Sequence, residues 1–181
     1  MKFSCEKALL QSMIAIASRA VAPKSTIPAL EGVLLEAEQE LNLTGYNLKT
    51  GIRGTISADI SEPGSIVLSA RLFGDIIRRL PDDVVTLSTN DLMVNITCGM
   101  SEFNILGIDP SQFPELPAVE YQNSMILPQR ILHSMITETI FAVSTNDSRP
   151  IHTGELFERD GVGMLTVVAV DGYRLALRRE T

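Results

Sequence analysis

An internal repeat constrains this chain more than any other feature of its sequence. Shifted by 122 residues, positions 9–36 fall on 131–158 without a gap, and ten of the 28 pairs are identical. They include Ser12/Ser134, Met13/Met135, Ile14/Ile136, Pro28/Pro150, Gly32/Gly154, Leu34/Leu156 and Glu36/Glu158. Average residue usage would give about two such identities. A repeat of this length predicts two copies of one supersecondary unit. Past residue 36 the register shifts by two or three residues, as a hairpin of different length would cause. To match the first copy, the second would have to run from near 123 to about residue 244. The sequence ends at Thr181. The expectation is therefore a whole first domain over 1–118 and the first half of a second over 119–181.

Hydrophobic periodicity fills in the copies. A strand is expected over Met1–Cys5, then a helix from Glu6 to Val21 with Leu9, Leu10, Met13, Ile14, Ala17 and Val21 on one stripe. Strands follow around 29–37, 41–44 and 48–57, a turn at Pro63-Gly64, and a strand over Ser65–Ser69. A second helix runs from Arg71 to Leu80, and Pro81-Asp82-Asp83 stops it. Three short strands come next, near 84–88, 92–98 and 101–106. Gly107, Pro110, Pro114 and Pro117 make 107–122 read as an interdomain linker. Ser124–Leu127 is expected as a strand, with Pro128 opening a third helix to Val143. Such an order is α+β.

Several function classes drop out. The amino terminus has no uninterrupted apolar stretch and does not resemble a signal peptide. No apolar run approaches the length of a membrane span, so a spanning helix is not expected; with no signal peptide, the expected location is cytoplasmic. Cys5 and Cys98 lack metal-ligand spacing and read as two reduced thiols. The three Asn-X-Ser/Thr strings carry no meaning without secretion. His133 and His152 do not form a helical metal pair, and phosphate loops, dinucleotide fingerprints and nucleophile elbows are absent from the sequence. No catalytic residue, metal ligand or cofactor site is expected.

Charge placement leaves two readings open. The net charge is −7, yet the three predicted helices hold six basic side chains against three acidic ones. These are either ordinary solvated helix faces or one basic surface on an acidic body, suited to phosphate contacts without base readout.

Certain blocks resemble a known family. They are the opening Met1-Lys2-Phe3, Thr26-Ile27-Pro28-Ala29-Leu30, the stretch Pro63 to Arg71, Gln112-Phe113-Pro114, Phe141-Ala142-Val143-Ser144-Thr145, Arg149-Pro150 with Gly154, and Asp171-Gly172-Tyr173-Arg174-Leu175-Ala176-Leu177. In order along the whole chain, they resemble the bacterial sliding clamp, the beta subunit of DNA polymerase III. The resemblance implies a sliding-clamp fold: three similar domains per chain, each with two helices inside and antiparallel sheets outside, and two chains joined head to tail into a ring around duplex DNA. It implies a processivity factor without a catalytic site of its own. By match of position, Lys24, Arg71, Asn146 and Arg149 would contact DNA. His152, Val170, Gly172, Tyr173, Arg174 and Leu175 would form one wall of the pocket that takes peptide tails from the polymerase catalytic subunit and the clamp loader. Phe103 and Ile105, an exposed apolar pair, would lie at the contact between chains of the homodimer. The sequence departs from the usual pattern at His152, Val170 and Tyr173, which bears on the specificity of that pocket. The competing reading is a clamp-fold interaction scaffold that does not encircle DNA.

Overall fold

Leu10, Met13, Ile14 and Ala17 give the first helix one apolar face, and in the computed structural model all four are buried along α1, Lys7–Ala17. The helix ends four residues earlier than the stripe predicts. Ser18–Ala20 tighten into a 3-10 turn and Val21 is extended, which turns the chain out of the helix two residues before Pro23. The structure describes residues 1–119, 124–161 and 163–181. They divide into two units, Met1–Ala118 and Val119–Thr181.

In the first unit the chain runs β1 (Lys2–Glu6), α1, β2 (Gly32–Ala37), β3 (Leu41–Tyr46), β4 (Gly51–Ile56), β5 (Asp59–Glu62), β6 (Gly64–Ser69), α2 (Ala70–Arg79), β7 (Val84–Asn90), β8 (Met93–Cys98) and β9 (Ser101–Leu106). Two sheets form, ordered β5-β1-β7-β8-β9 and β4-β3-β2-β6, with antiparallel pairing throughout. Ser69 starts α2 by accepting a hydrogen bond from the Leu72 amide at 3.4 Å. One core joins both sheets to both helices: Phe3, Leu87 and Ile96 from one sheet, Leu35, Leu43 and Leu68 from the other, Leu10 and Phe73 from the helices. Gly45 is what lets β3 approach α1, since a Cβ there would overlap the carbonyl of Ala17. Burial holds the Cys5 thiol at a pKa of about 11, with Glu6 adding to the effect; both cysteines are free and buried.

Side chains of the four-stranded sheet alternate between its two faces, and both faces carry apolar residues because both are covered. Leu35, Leu43 and Leu68 face the helices. The opposite, outer face carries Leu34, Tyr46 and Val67, and it is covered by the segment after β9. There Ile108 bridges Val67 through N–H···O bonds of 2.9 and 3.1 Å. Residues 110–112 make a 3-10 turn capped by the Asp109 carboxylate, and Phe113 and Leu116 pack onto the outer cluster. Gly107 and the prolines predict an interdomain linker over 107–122 that begins inside the first domain's expected bounds of 1–118. Residues 107–118 pack as part of the first unit, because Ile108, Phe113 and Leu116 have apolar seats; 120–122 lie outside the described residues.

The second unit repeats the beginning of the first. Pro128 takes the N-cap position of α3, Gln129–Thr139, rather than its first turn, and Ile140–Ala142 forms the 3-10 turn. With β10 (Leu156–Arg159), β11 (Leu165–Val170) and β12 (Leu175–Glu180), it builds an antiparallel sheet ordered β10-β11-β12. The helix and turn keep the offset of 122, while β11 and β12 lie 124 residues after β3 and β4. The step of two has a simple cause: residues 38–40 connect the first hairpin and residues 160–164 the second. Residues 124–127 form no strand. Their counterpart β1 is held between β5 and β7, whose own counterparts do not occur among the described residues.

Candidate nucleic-acid and peptide interfaces

Lys24 is exposed in the loop between α1 and the 3-10 turn at Pro28–Glu31. Arg71 is exposed in the first turn of α2. It lines a groove of about 680 Å³ with Gln11, Ser18 and Pro23, the residue before Lys24. Among the described residues neither Lys24 nor Arg71 makes an ion pair. Both cations are therefore available to phosphates, which carry no sequence information. The helical basic excess is smaller than the sequence count suggests: Lys7 bonds Asp82 at 2.8 Å and is 11% exposed, and Arg78 bonds Asp75 at 2.7 Å. The Lys7 contact holds the Asp82 carboxyl below its usual range, first through the hydrogen bond and then through charge.

Asn146 occupies the place in the second unit that Lys24 holds in the first, 122 residues on. Its side-chain carbonyl accepts from the Ser148 amide at 2.9 Å, and its own amide donates to Ser144 Oγ at 3.0 Å. Arg149 is exposed, and its carbonyl accepts from the His152 amide at 3.0 Å. In turn the Ser144 amide donates to the His152 carbonyl at 2.8 Å. These bonds repeat those of Ile27, Leu30 and Ala22 in the first unit. Backbone geometry, set by the shared prolines at 28 and 150, thus fixes both loops alike.

Across from this loop stands the turn 171–174. The Asp171 carboxylate accepts from the amides of Tyr173 (2.9 Å) and Arg174 (3.0 Å) and from Arg174 Nε (2.7 Å). The Tyr173 amide is the largest cause of its lowered pKa. Gly172, at φ +93°, supplies the left-handed step the turn requires. The first unit builds the same turn from Asn47, whose carbonyl accepts from Lys49 and Thr50 at 3.0 and 2.7 Å, with Leu48 at φ +70°. Asp171-Gly172 is thus a turn and also a holder for Arg174, a role of Asp171 that sequence reasoning missed. Asn146, Arg149, His152, Gly172 and Tyr173 border one groove of about 450 Å³. Residues assigned by resemblance to two separate contacts meet here.

Val170, Arg174 and Leu175 are not part of that groove's lining. Val170 pairs with Leu175 across β11 and β12, and the next row on the same face is Leu156–Val168–Leu177. Leu156 and Leu175 are 61% and 63% exposed, so this outer face is an apolar patch beside the groove. The sequence held a signal for Leu156, Val168 and Leu177, namely alternation along each strand, but no reading used it. Phe103 is 39% exposed on β9, an edge strand. Ile105 is 9% exposed and packs into the first unit's core opposite Val94. The expected exposed pair is therefore corrected: Phe103 is open, but Ile105 is held by the core. No group of three or more potential metal ligands occurs among the described residues. No described helix is long and apolar enough to cross a membrane.

Comparison with known proteins places this geometry. The family model described as "DNA polymerase III beta subunit, N-terminal domain" matches residues 1–117, and that of the central domain matches 126–181. The beta sliding clamps of Halalkalibacterium halodurans and Staphylococcus aureus are 36% and 38% identical to it over 99% of the chain. The chain spans about half the length of these relatives, 50% of each. The crystal structure of the DNA polymerase beta subunit of Streptococcus pyogenes superposes with a TM-score of 0.93 at 34% identity, over 100% of this chain and 50% of that one. The sliding clamp of Bacillus subtilis gives 0.91 at 33% over the same shares. The repeated helix-and-sheet units, the matched turns and the family models agree: this chain belongs to the bacterial sliding clamp family, the beta subunits of DNA polymerase III.

Proposed function

We propose that the protein carrying these two units is the processivity clamp of a replicative DNA polymerase. Two copies form a ring around duplex DNA in the cytoplasm, with no catalytic step of its own. Lys24, Arg71, Asn146 and Arg149 touch the phosphate backbone. His152, Val170, Gly172, Tyr173, Arg174 and Leu175 receive short peptide tails of the polymerase catalytic subunit and the clamp loader, and Phe103 lies at the contact between copies. The observation that supports this most is the repeated loop. Lys24 and Asn146 sit at equivalent positions on equivalent backbones, and among the described residues neither Arg71 nor Arg149 makes an ion pair, which leaves both cations open to phosphate.

In the complete protein, Lys24→Ala and Arg149→Ala should each weaken DNA binding equally on unrelated sequences. Each should lower the slope of log affinity against log salt by about 0.9, the value for one phosphate. A loss that depends on sequence, or an unchanged slope, overturns the assignment. A scaffold that does not encircle DNA is the second reading. It is favoured by the pairing of Lys7 and Arg78, which leaves Arg19, Arg71, Arg79 and Arg130 as the helical cations without an ion pair among the described residues.

A further inference from the structure

We propose that the first unit carries its own copy of the apolar outer-face groove, and that the segment Ile108–Leu116 is a displaceable peptide lid seated in it. The proposal takes from the function above only the position of the second unit's groove. Counterparts follow from the offsets of 122 and 124: Leu30 for His152, Tyr46 for Val170 and Gly51 for Leu175. Leu30 and Tyr46 are 1% and 8% exposed, whereas their counterparts His152 and Val170 are only half-buried. Phe113 and Leu116 make that difference, since both belong to the cluster around Leu30 and Tyr46.

Gly51 shows how closely the segment is fitted. A Cβ at Gly51 would lie 2.8 Å from Leu116 Cδ2. The leucine that β12 carries at this place is supplied in the first unit by the covering segment. The segment is nevertheless lightly tied. Beyond the Ile108–Val67 bridge, the described backbone bonds of 110–117 are local, to Asp109 and Pro110. It is held by Phe113 and Leu116 side chains, with Ser111, Gln112 and Glu115 exposed between them. A stretch with few buried anchors and no ladder belongs to the low-stability end of a fold.

Its seat is also incomplete. A groove of about 480 Å³ persists under the segment, lined by Leu34, Thr44 and Arg53 from the sheet and by Phe113, Pro114 and Leu116 from above. Thr44 Oγ1 is buried there and finds no hydrogen-bond partner among the described residues, a state that lifting the segment relieves. A peptide bearing an aromatic residue and a leucine three positions apart is the ligand such a groove fits, and the chain's own 109–118, with Phe113 and Leu116, has that form.

The test uses the whole chain with Phe113→Ala/Leu116→Ala and a fluorescein-labelled peptide of the sequence 109–118. Anisotropy should show the variant binding one more peptide than wild type, at least tenfold tighter than any first-unit binding by wild type. Binding to the second unit's groove appears equally in both proteins and cancels, so failure here leaves the partner-peptide reading standing. A folded variant that gains no site overturns the lid. Should the double variant not fold, Leu116→Ala is followed by amide exchange. Faster exchange confined to 110–117, with β3 and β4 unchanged, supports the lid; loss of protection spread evenly through the unit overturns it.

Discussion

Gly45→Ala tests how the sheet meets the helix. In the middle of β3, Gly45 faces the last turn of α1, where an added Cβ would overlap the Ala17 carbonyl and come within 3.3 Å of Val21 Cγ2. Two effects oppose each other. Replacing a glycine within a strand contributes about 0.5–1 kcal/mol by restricting the unfolded chain. Overpacking costs about 1–3 kcal/mol. The obstacle is helix backbone, which cannot rotate aside as a side chain could, so overpacking takes the upper end of its range and wins. The net loss is about 2 kcal/mol, which at an m-value of about 2 kcal/mol/M lowers the urea midpoint by about 1 M. Far-UV circular dichroism of the chain in urea reads this directly. The second unit has alanine at the matching position, Ala169, 1% exposed, so a Cβ is accommodated there and Ala169→Gly should produce no comparable relief. A midpoint that is unchanged or raised in Gly45→Ala would refute the close approach, and with it the placement of α1 that carries the Lys24 loop.

Other predictions follow from the second unit. Fully burying a leucine contributes about 1.5–3 kcal/mol, and Leu175 retains 63% of its exposure. Leu175→Ala in the complete protein should therefore weaken a partner peptide about five- to thirtyfold, for about 1–2 kcal/mol, and an unchanged anisotropy titration would exclude Leu175 from the pocket. Asp171 has a lowered pKa, mainly from the Tyr173 amide. Its contribution to the turn is thus present above the usual Asp range and is lost as pH falls through the lowered value. Asp171→Asn should keep the turn, as Asn47 does, and remove this acid dependence, whereas Asp171→Ala should open it at all pH values. Amide exchange at Tyr173 and Arg174 across pH distinguishes them, and equal protection in both variants would contradict the role given to Asp171.

Most helices and strands could be placed from periodicity because their apolar residues face one core. β5 escaped because Asp59-Ile60-Ser61-Glu62 is a mostly exposed edge strand with a single apolar residue to mark it. Ser124–Leu127 erred the other way, since strand-like residues need ladder partners and none pairs with them among the described residues. Ile105 was misjudged because alternation puts it on one face with Phe103 but does not show how far along the strand the core covers that face; Ile105, opposite Val94, is covered, while Phe103 stays 39% exposed. Proline content made 107–118 look like linker, although Ile108, Phe113 and Leu116 were visible as anchors. At the site, resemblance supplied positions, while only the fold could show that Asp171 holds Arg174 and that Asn146 and Arg149 share a groove with His152 and Tyr173.

Topological retention of the complete protein on DNA tests the central claim most directly. After loading on a nicked circle and a wash in high salt, which screens phosphate contacts, a ring should stay on the circle and be lost within minutes of linearisation by a restriction enzyme. Lys24→Ala should leave that retention intact while reducing low-salt affinity. Equal loss from circular and linear DNA in high salt would contradict encirclement and leave the clamp fold as an interaction scaffold.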